Sequence, residues 1–128
     1  MKVLLDTHTL LWATLSPASL SQKAAAMIAD EANVILVSAA SAWEIATKVR
    51  LGKLPGAETL EREFLDVVED AGYTLLAIDA GSALRAGRLT GEHRDPFDRM
   101  IAAQALGEDL LVVSRDAQLD LFGVRRVW

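Results

Sequence analysis

Four carboxylates lie close to apolar segments, where their charge requires an explanation. Asp6 directly follows the run KVLL, and Asp98 lies just before the run MIAA. Glu44 and Asp116 come shortly after two further runs, VILV and LLVV. Carboxylates that converge on one cleft repel one another unless a divalent cation neutralises them. Mg²⁺ and Mn²⁺ favour such oxygen ligands, and a cation held there can activate water to attack a phosphodiester.

Asp6 and Glu44 each have a purely structural alternative. Asp6 could cap a helix that continues through Leu11 and Trp12. Glu44 could pair with Lys48 one helical turn later, which contributes only about 0.2–0.5 kcal/mol. For either acid taken alone, the structural interpretation is the simpler one.

Asp98 and Asp116 also lie where helices are expected to begin. The segment Asp95-Pro-Phe-Asp98 fits a helix start, with an acid at the cap, proline at the first position and an acid at the third. Asp116 could cap a helix that begins with Ala-Gln-Leu. We interpret Asp95 as the cap and Asp98 as a cation ligand, because capping does not require acids to be concentrated in one place. Glu92 is left to solvent.

The hydrophobic pattern alternates short apolar runs with longer helical ones. Strands are predicted at Lys2–Leu5, Val34–Val37, Tyr73–Ala77, Leu110–Val113 and, as a short last strand, Arg125–Val127. Helices are predicted at Ser21–Glu31, Ala39–Leu51, Glu58–Ala71, Ala80–Leu89 and Pro96–Leu106. This alternation predicts a doubly wound α/β sandwich with a buried parallel sheet. Ligands bind such sheets at the carboxyl ends of the strands, where Asp6, Glu44 and Asp116 are expected and where Asp98 lies if its helix begins there.

Composition limits the class of protein. A chain of 128 residues without internal repeats is expected to form a single domain spanning 1–128. It has no cysteine, which excludes a disulfide framework and a cysteine-based zinc site. The first apolar run is too short for a signal peptide, and no run approaches a membrane span. We therefore expect a soluble cytoplasmic protein with no membrane contact. The net charge of −5 argues against nucleic-acid binding by bulk charge alone.

Three stretches together resemble a known family. They are MKVLLDTHTLLW, VSAASAWEIATKVRLGKL and HRDPFDRMIAAQA, in that order and over nearly the whole chain. They resemble PIN-domain nucleases, and most closely the VapC toxins of type II toxin–antitoxin pairs. The resemblance implies a PIN-like three-layer sandwich, with a central parallel sheet of about five strands flanked by helices. It also implies a Mg²⁺- or Mn²⁺-dependent endoribonuclease.

The resemblance assigns roles to residues and partners. Asp6, Glu44, Asp98 and Asp116 match the family's acidic cluster, with Asp6 and Asp98 as the most direct metal ligands. Many relatives have asparagine at the last of these positions, where this chain has Asp116. The family also implies an RNA substrate, a homodimer and a cognate antitoxin protein that covers the active site.

Residues near the expected cleft have two interpretations. Lys48, Arg94, Arg99 and Arg115 could hold RNA phosphates, although solvated faces and helix salt bridges explain them equally well. His93 is expected to be a surface-loop histidine rather than a residue that orients a carboxylate, and His8 is assigned no role. The simplest prediction for Leu11, Trp12, Trp43 and Ile45 is that they are core, with a groove for the antitoxin as the alternative.

Two other functions compete with the nuclease. A PIN-like scaffold that binds RNA or protein without cutting would not need its acids, so the complete acid set argues against it. Other α/β acid-site proteins fit poorly. A receiver domain needs an acceptor aspartate after a middle strand, where VILV ends at Ser38. A haloacid-type phosphatase needs Asp-x-Asp near the start, where this chain has Asp6-Thr-His8.

Overall fold

The computed structural model describes residues 1–128 as a parallel sheet of five strands between two layers of helices. The strands are β1 (Lys2–Leu5), β2 (Val34–Ser38), β3 (Thr74–Leu76), β4 (Leu111–Val113) and β5 (Arg125–Val127). The α-helices are α1 (Thr7–Leu15), α2 (Gln22–Ala29), α3 (Ala39–Arg50), α4 (Glu58–Arg62), α5 (Phe64–Asp70), α6 (Ala80–Arg88) and α7 (Pro96–Glu108). Short 3₁₀ helices span Pro17–Ser19 and Ala117–Phe122. No helix combines the length and apolar character that a bilayer crossing requires.

The sheet is covered on both faces, as its apolar strands predict. Alternate residues of a strand point to opposite faces. Val3 and Leu5 of β1 therefore join a first core cluster, with residues of α1 to α5, while Leu4 joins a second core cluster, with residues of α7. The predicted α/β sandwich is confirmed.

Most predicted elements occur with their ends shifted by one or two residues, but two details were wrong. The predicted helix Glu58–Ala71 is interrupted at Glu63, which separates α4 from α5. Helical hydrogen bonds still continue across this position, from Glu63 N–H to the Thr59 carbonyl and from Val67 N–H to the Glu63 carbonyl. Leu60, Phe64 and Val68 remain buried in the first core cluster on either side of the interruption. In addition, β3 is not a buried strand: Leu75 is 45% exposed, because β3 lies at an edge of the sheet.

The strand order places a switch point beside β1. The order is β3-β2-β1-β4-β5, so the chain leaves β1 in one direction for β2 and β3 and later returns to its other side with β4. Ligands of open α/β sheets bind at the carboxyl ends of strands on either side of such a reversal. Asp6 and Ser114 are the residues that directly follow β1 and β4.

Helix α7 brings Asp98 to the same edge. A helix that connects parallel strands runs antiparallel to them, so its first turn lies at the carboxyl edge. Helix α7 begins at Pro96 and leads directly towards β4, which places Asp98 in that first turn. Asp98 therefore lies at the carboxyl ends of the strands, because its helix begins there.

Candidate active site

A cleft of about 470 Å³ opens at the carboxyl ends of the strands. All four predicted acids line it, together with cationic and aromatic side chains from α1, α3 and the segments that flank α7 and β4. The complete lining consists of Asp6, His8, Trp12, Glu44, Lys48, His93, Asp95, Asp98, Arg115 and Asp116.

Asp6 both caps a helix and faces the cleft. Its Oδ1 accepts a hydrogen bond of 2.8 Å from the Thr9 N–H, which caps α1 as the structural interpretation predicted. Its Oδ2 accepts a hydrogen bond from the hydroxyl of Ser114, so the ends of β1 and β4 are joined through this carboxylate. Burial raises the pKa of Asp6, while the hydrogen bonds from Ser114 and Thr9 act in the opposite direction. Asp6 is thus rigidly held, and its environment disfavours a free charge.

Glu44 is almost completely buried and only partly satisfied. Its side chain forms the predicted ion pair with Lys48 through Oε2. Its Oε1 is buried without any hydrogen-bond partner, and the whole residue is only 2% exposed. A buried polar atom without a partner costs about 1–3 kcal/mol. A cation in the cleft is the kind of ligand that would satisfy this oxygen.

Asp95 and Asp98 have different roles at the start of α7. Asp95 Oδ1 accepts hydrogen bonds from the N–H groups of Phe97 and Asp98, at 2.9 and 3.2 Å, which is the predicted cap. Asp98 is left with its side chain facing the cleft. Burial, together with the charges of Asp95 and Glu44, raises the pKa of Asp98 to about 6, against the hydrogen bond from His93.

The prediction for His93 was wrong. The side chain of His93 is only 13% exposed, and its Nε2 lies 2.8 Å from Asp98 Oδ2. His93 therefore holds one oxygen of Asp98, which is the interpretation that the sequence did not favour. The available signal was the spacing in HRDPFD, since a histidine shortly before a helix start can fold back onto the first turn.

The tightest group of possible ligands contains His93, Asp98 and Asp116. One ligand atom from each residue lies within 4.8 Å of the others. Asp6 and Glu44 line the same cleft outside this group. Asp116 also caps the 3₁₀ helix Ala117–Phe122 by accepting from Gln118 N–H at 2.9 Å, so it combines the two roles considered for it.

Arg99 does not line the cleft, although one interpretation of the sequence allowed it to hold an RNA phosphate there. Its guanidinium donates to the backbone carbonyls of Ala86, Leu89 and His93, and it stacks at 5.7 Å from the centre of the Phe122 ring. The same Phe122 ring packs 5.8 Å from His93. Arg99 thus fixes the loop between α6 and α7 and, through it, the position of His93.

Two of the three remaining cations that were considered for RNA phosphates lie at the cleft. Lys48 and Arg115 line the cleft, whereas Arg94 is exposed outside it. Burial lowers the pKa of Lys48, but its hydrogen bond and charge interaction with Glu44 outweigh this effect and the pKa is raised. The ammonium therefore stays charged.

The aromatic and aliphatic core prediction is correct for two residues of four. Leu11 and Ile45 are buried in the first core cluster. Trp43 was placed wrongly in the core: it is 58% exposed and packs edge-on against Phe97 at 4.7 Å. Trp12 is half-buried and lines the cleft.

The family follows from comparison with known proteins. The profile of the PIN domain matches residues 3–124. The chain belongs to the PIN domain family. The family resemblance in the sequence is therefore confirmed.

Individual relatives agree with this assignment. Ribonuclease VapC16 of Mycobacterium tuberculosis is 46% identical over 54 residues, a match that spans 42% of this chain and only 38% of that protein. The solved structure of VapBC2 from Rickettsia felis, bound to a DNA fragment from its promoter, superposes with a TM-score of 0.71 at 16% identity and covers 99% of this chain and 98% of that one. FitAcB from Neisseria gonorrhoeae gives 0.67 at 22% identity, over 98% and 96% of the two chains. The likeness to these two structures shows the shared fold.

Proposed function

We propose that residues 1–128 form a single PIN domain that acts as a divalent-metal-dependent endoribonuclease, the toxin of a type II toxin–antitoxin pair. The observation that carries the proposal is the convergence of buried and half-buried carboxylates on one cleft at the switch point of the sheet. Glu44 keeps an unpartnered oxygen there, and Asp98 keeps a pKa of about 6. Both features cost free energy in the free protein, and a bound cation would recover it.

The donor set fits Mg²⁺ or Mn²⁺. Both ions take carboxylate oxygens, and the side chains of Asp6, Glu44, Asp98 and Asp116 would hold the cation. The unpartnered Glu44 Oε1 supports this assignment because it is an oxygen donor that no protein group satisfies. When bound, such a cation activates water and stabilises the charge that develops on a phosphodiester.

The other residues of the cleft position these acids and the substrate. Ser114 holds Asp6, and His93 holds one oxygen of Asp98, so both carboxylates keep a fixed orientation. Lys48 and Arg115 line the cleft and supply positive charge for backbone phosphates of RNA. The caps made by Asp6 and Asp95 fix the first turns of α1 and α7, which sets the separation of the acids.

The toxin assignment is supported by the relatives. The similar protein from Mycobacterium tuberculosis is named a ribonuclease, and VapBC-5 from the same organism, a solved structure with this fold, is a member of the VapBC family of toxin–antitoxin systems. By analogy we propose an RNA substrate, a cognate antitoxin, a homodimer and a cytoplasmic location for this chain.

The first experiment is cleavage of total cellular RNA by the purified protein. Reactions would contain Mg²⁺, Mn²⁺ or a chelator, with Asp98→Asn beside the wild type. Arg94→Gln is a matched control, because Arg94 is a cation exposed outside the cleft. We expect discrete cuts that require metal, persist in Arg94→Gln and are lost in Asp98→Asn.

A different pattern would reject the nuclease. If the wild type binds RNA or a partner protein but never cuts, and Asp98→Asn binds equally well, the acidic cluster has only a structural role. The chain would then be a non-catalytic RNA- or protein-binding module on a PIN scaffold.

A further inference from the structure

Besides its acids and cations, the cleft contains an aromatic wall formed by His8 and Trp12. Trp12 is the one hydrophobic residue among the ten that line the cleft. His8 lies one helical turn before it on α1, on the same face, with the two ring centres 5.9 Å apart. Because Asp6 caps this helix, the aromatic wall begins directly beside the acidic cluster.

The position of Trp12 is not explained by the core. Its indole packs 5.4 Å from that of Trp128, and Trp128 in turn packs against the first core cluster. Trp12 itself belongs to neither core cluster and remains half-buried at the cleft. Trp128 therefore links Trp12 to the core, while part of the indole lines the cleft and is open to a ligand there.

We propose that Trp12, with His8 beside it, forms a stacking surface for a nucleobase of single-stranded RNA next to the phosphate that is cut. This inference rests on the proposed function. The cleft then offers one surface for each part of a nucleotide strand: carboxylates for the cation, Lys48 and Arg115 for phosphates, and an aromatic wall for a base. Bases stack on aromatic side chains when a strand is unpaired, and the interaction tolerates any base.

The composition of the cleft favours a base over an apolar partner helix. A helix in a groove needs an apolar trough that accepts several side chains along its face. This cleft has a single hydrophobic lining residue among nine polar or charged ones. One flat apolar surface surrounded by charge fits a planar ring attached to a charged backbone.

The test measures binding in an Asp98→Asn background, so that cleavage does not consume the ligand. The probes are a labelled pool of random single-stranded RNA of about 12 nucleotides, within the range that single-strand sites occupy, and an abasic sugar–phosphate polymer of equal length and charge. Trp12→Leu keeps apolar bulk against Trp128 but removes the flat ring, and Trp12→Phe keeps a ring. Trp43→Leu is the matched control, because Trp43 is an exposed tryptophan outside the cleft lining.

We expect Trp12→Leu to weaken binding of the RNA pool by about 5- to 150-fold, the range measured when stacking on one aromatic side chain is lost. Trp12→Phe should restore most of the affinity, and Trp43→Leu should leave it unchanged. Binding of the abasic polymer should be weak for the parent protein and insensitive to Trp12. Thermal unfolding of each variant shows that the comparison is made between folded proteins, and the two probes can be compared on the parent protein alone.

Several results would overturn the inference. Equal RNA affinity in Trp12→Leu and Trp12→Phe, or equal affinity of the parent for the two probes, would mean that no base stacks there. The wall would then be assigned to a protein contact. Cleavage by the wild type without any effect of Trp12 rejects only the stacking surface. Base-dependent binding without cleavage by the wild type supports the stacking surface and rejects the nuclease.

Discussion

Replacement of Asp98 by asparagine should stabilise the metal-free protein at pH 8. A carboxylate that is arranged for a cation is held at the expense of stability when the cation is absent. Asparagine has the shape of the protonated acid and can still accept a hydrogen bond from His93. The substitution therefore removes the charge with little change in packing.

The magnitude follows from the environment of Asp98. Burial and the neighbouring charges of Asp95 and Glu44 raise its pKa from 3.8 to about 6. A rise of about two units corresponds to about 3 kcal/mol, at 1.36 kcal/mol per unit. Because the side chain is 19% exposed, solvent screens part of this effect, and we expect a gain of about 1–2 kcal/mol at pH 8.

The gain should depend on pH in a defined direction. The folded-state pKa lies above the unfolded value, so the carboxyl group favours folding fully below pH 4, and this contribution is lost as the pH rises through about 6. The difference between Asp98→Asn and wild type should therefore shrink as the pH is lowered from 8 to 4. Urea denaturation in the presence of a chelator, at several pH values, measures it directly.

Asp79 provides a control of opposite sign. It is an exposed cap of α6, and the hydrogen bond from Ser82 N–H lowers its pKa. Asp79→Asn should therefore destabilise the protein at pH 8, and this loss should fade as the pH falls through the lowered pKa. If Asp98→Asn behaves like Asp79→Asn, the contact with His93 stabilises the carboxylate more than burial disfavours it, and the reasoning is refuted.

Metal should reverse the order of stability. A ligand that binds only the folded state stabilises it by about 2.7 kcal/mol at a concentration one hundred times its Kd. Saturating Mn²⁺ or Mg²⁺ should raise the stability of the wild type above that of Asp98→Asn. An equal response of both proteins to metal would show that the cation does not bind at Asp98.

Three further substitutions test a buried polar contact, a support of the loop before α7 and one of the proposed metal ligands. Gln104→Ala should destabilise the protein by about 1–3 kcal/mol in urea denaturation. The buried amide accepts a hydrogen bond from the Ser38 hydroxyl and donates one to the Ala77 carbonyl, and both groups lose their partner in the variant. An unchanged midpoint would show that water replaces the amide. Arg99→Lys should destabilise the protein by about 1–3 kcal/mol, because lysine cannot donate to three carbonyls at once as the guanidinium does. Calorimetry should also show weaker Mn²⁺ binding, because the loop that carries His93 is displaced. Glu44→Gln should weaken Mn²⁺ binding at least tenfold while the protein stays folded, and unchanged affinity would remove Glu44 from the proposed ligand set.

The local sequence was sufficient for much of the fold. Short apolar runs separated by helical patterns predicted the strands and the burial of the central ones between helices, although the edge strand β3 is partly exposed. Asp95-Pro marked the start of α7, since capping depends on residues that are adjacent in the chain. The acids that follow or flank these elements could be grouped from the sequence because a parallel sheet gathers the carboxyl ends of its strands at one edge.

Contacts between distant segments were decided only by the tertiary structure. The hydroxyl of Ser114 binds Asp6 across 108 positions, and only the packing of β4 against β1 brings them together. Hydrophobic periodicity likewise could not show that Arg99 donates to backbone carbonyls or that His93 turns onto Asp98, because it carries no information on the partners of polar side chains. Trp43 and Trp12 illustrate the same point: both are large apolar residues in helices, yet one is exposed and the other lines the cleft, because the neighbouring elements leave these faces uncovered. Sequence pattern thus determined which residues could form a site, and packing between elements decided which of them face it and which hold it in place.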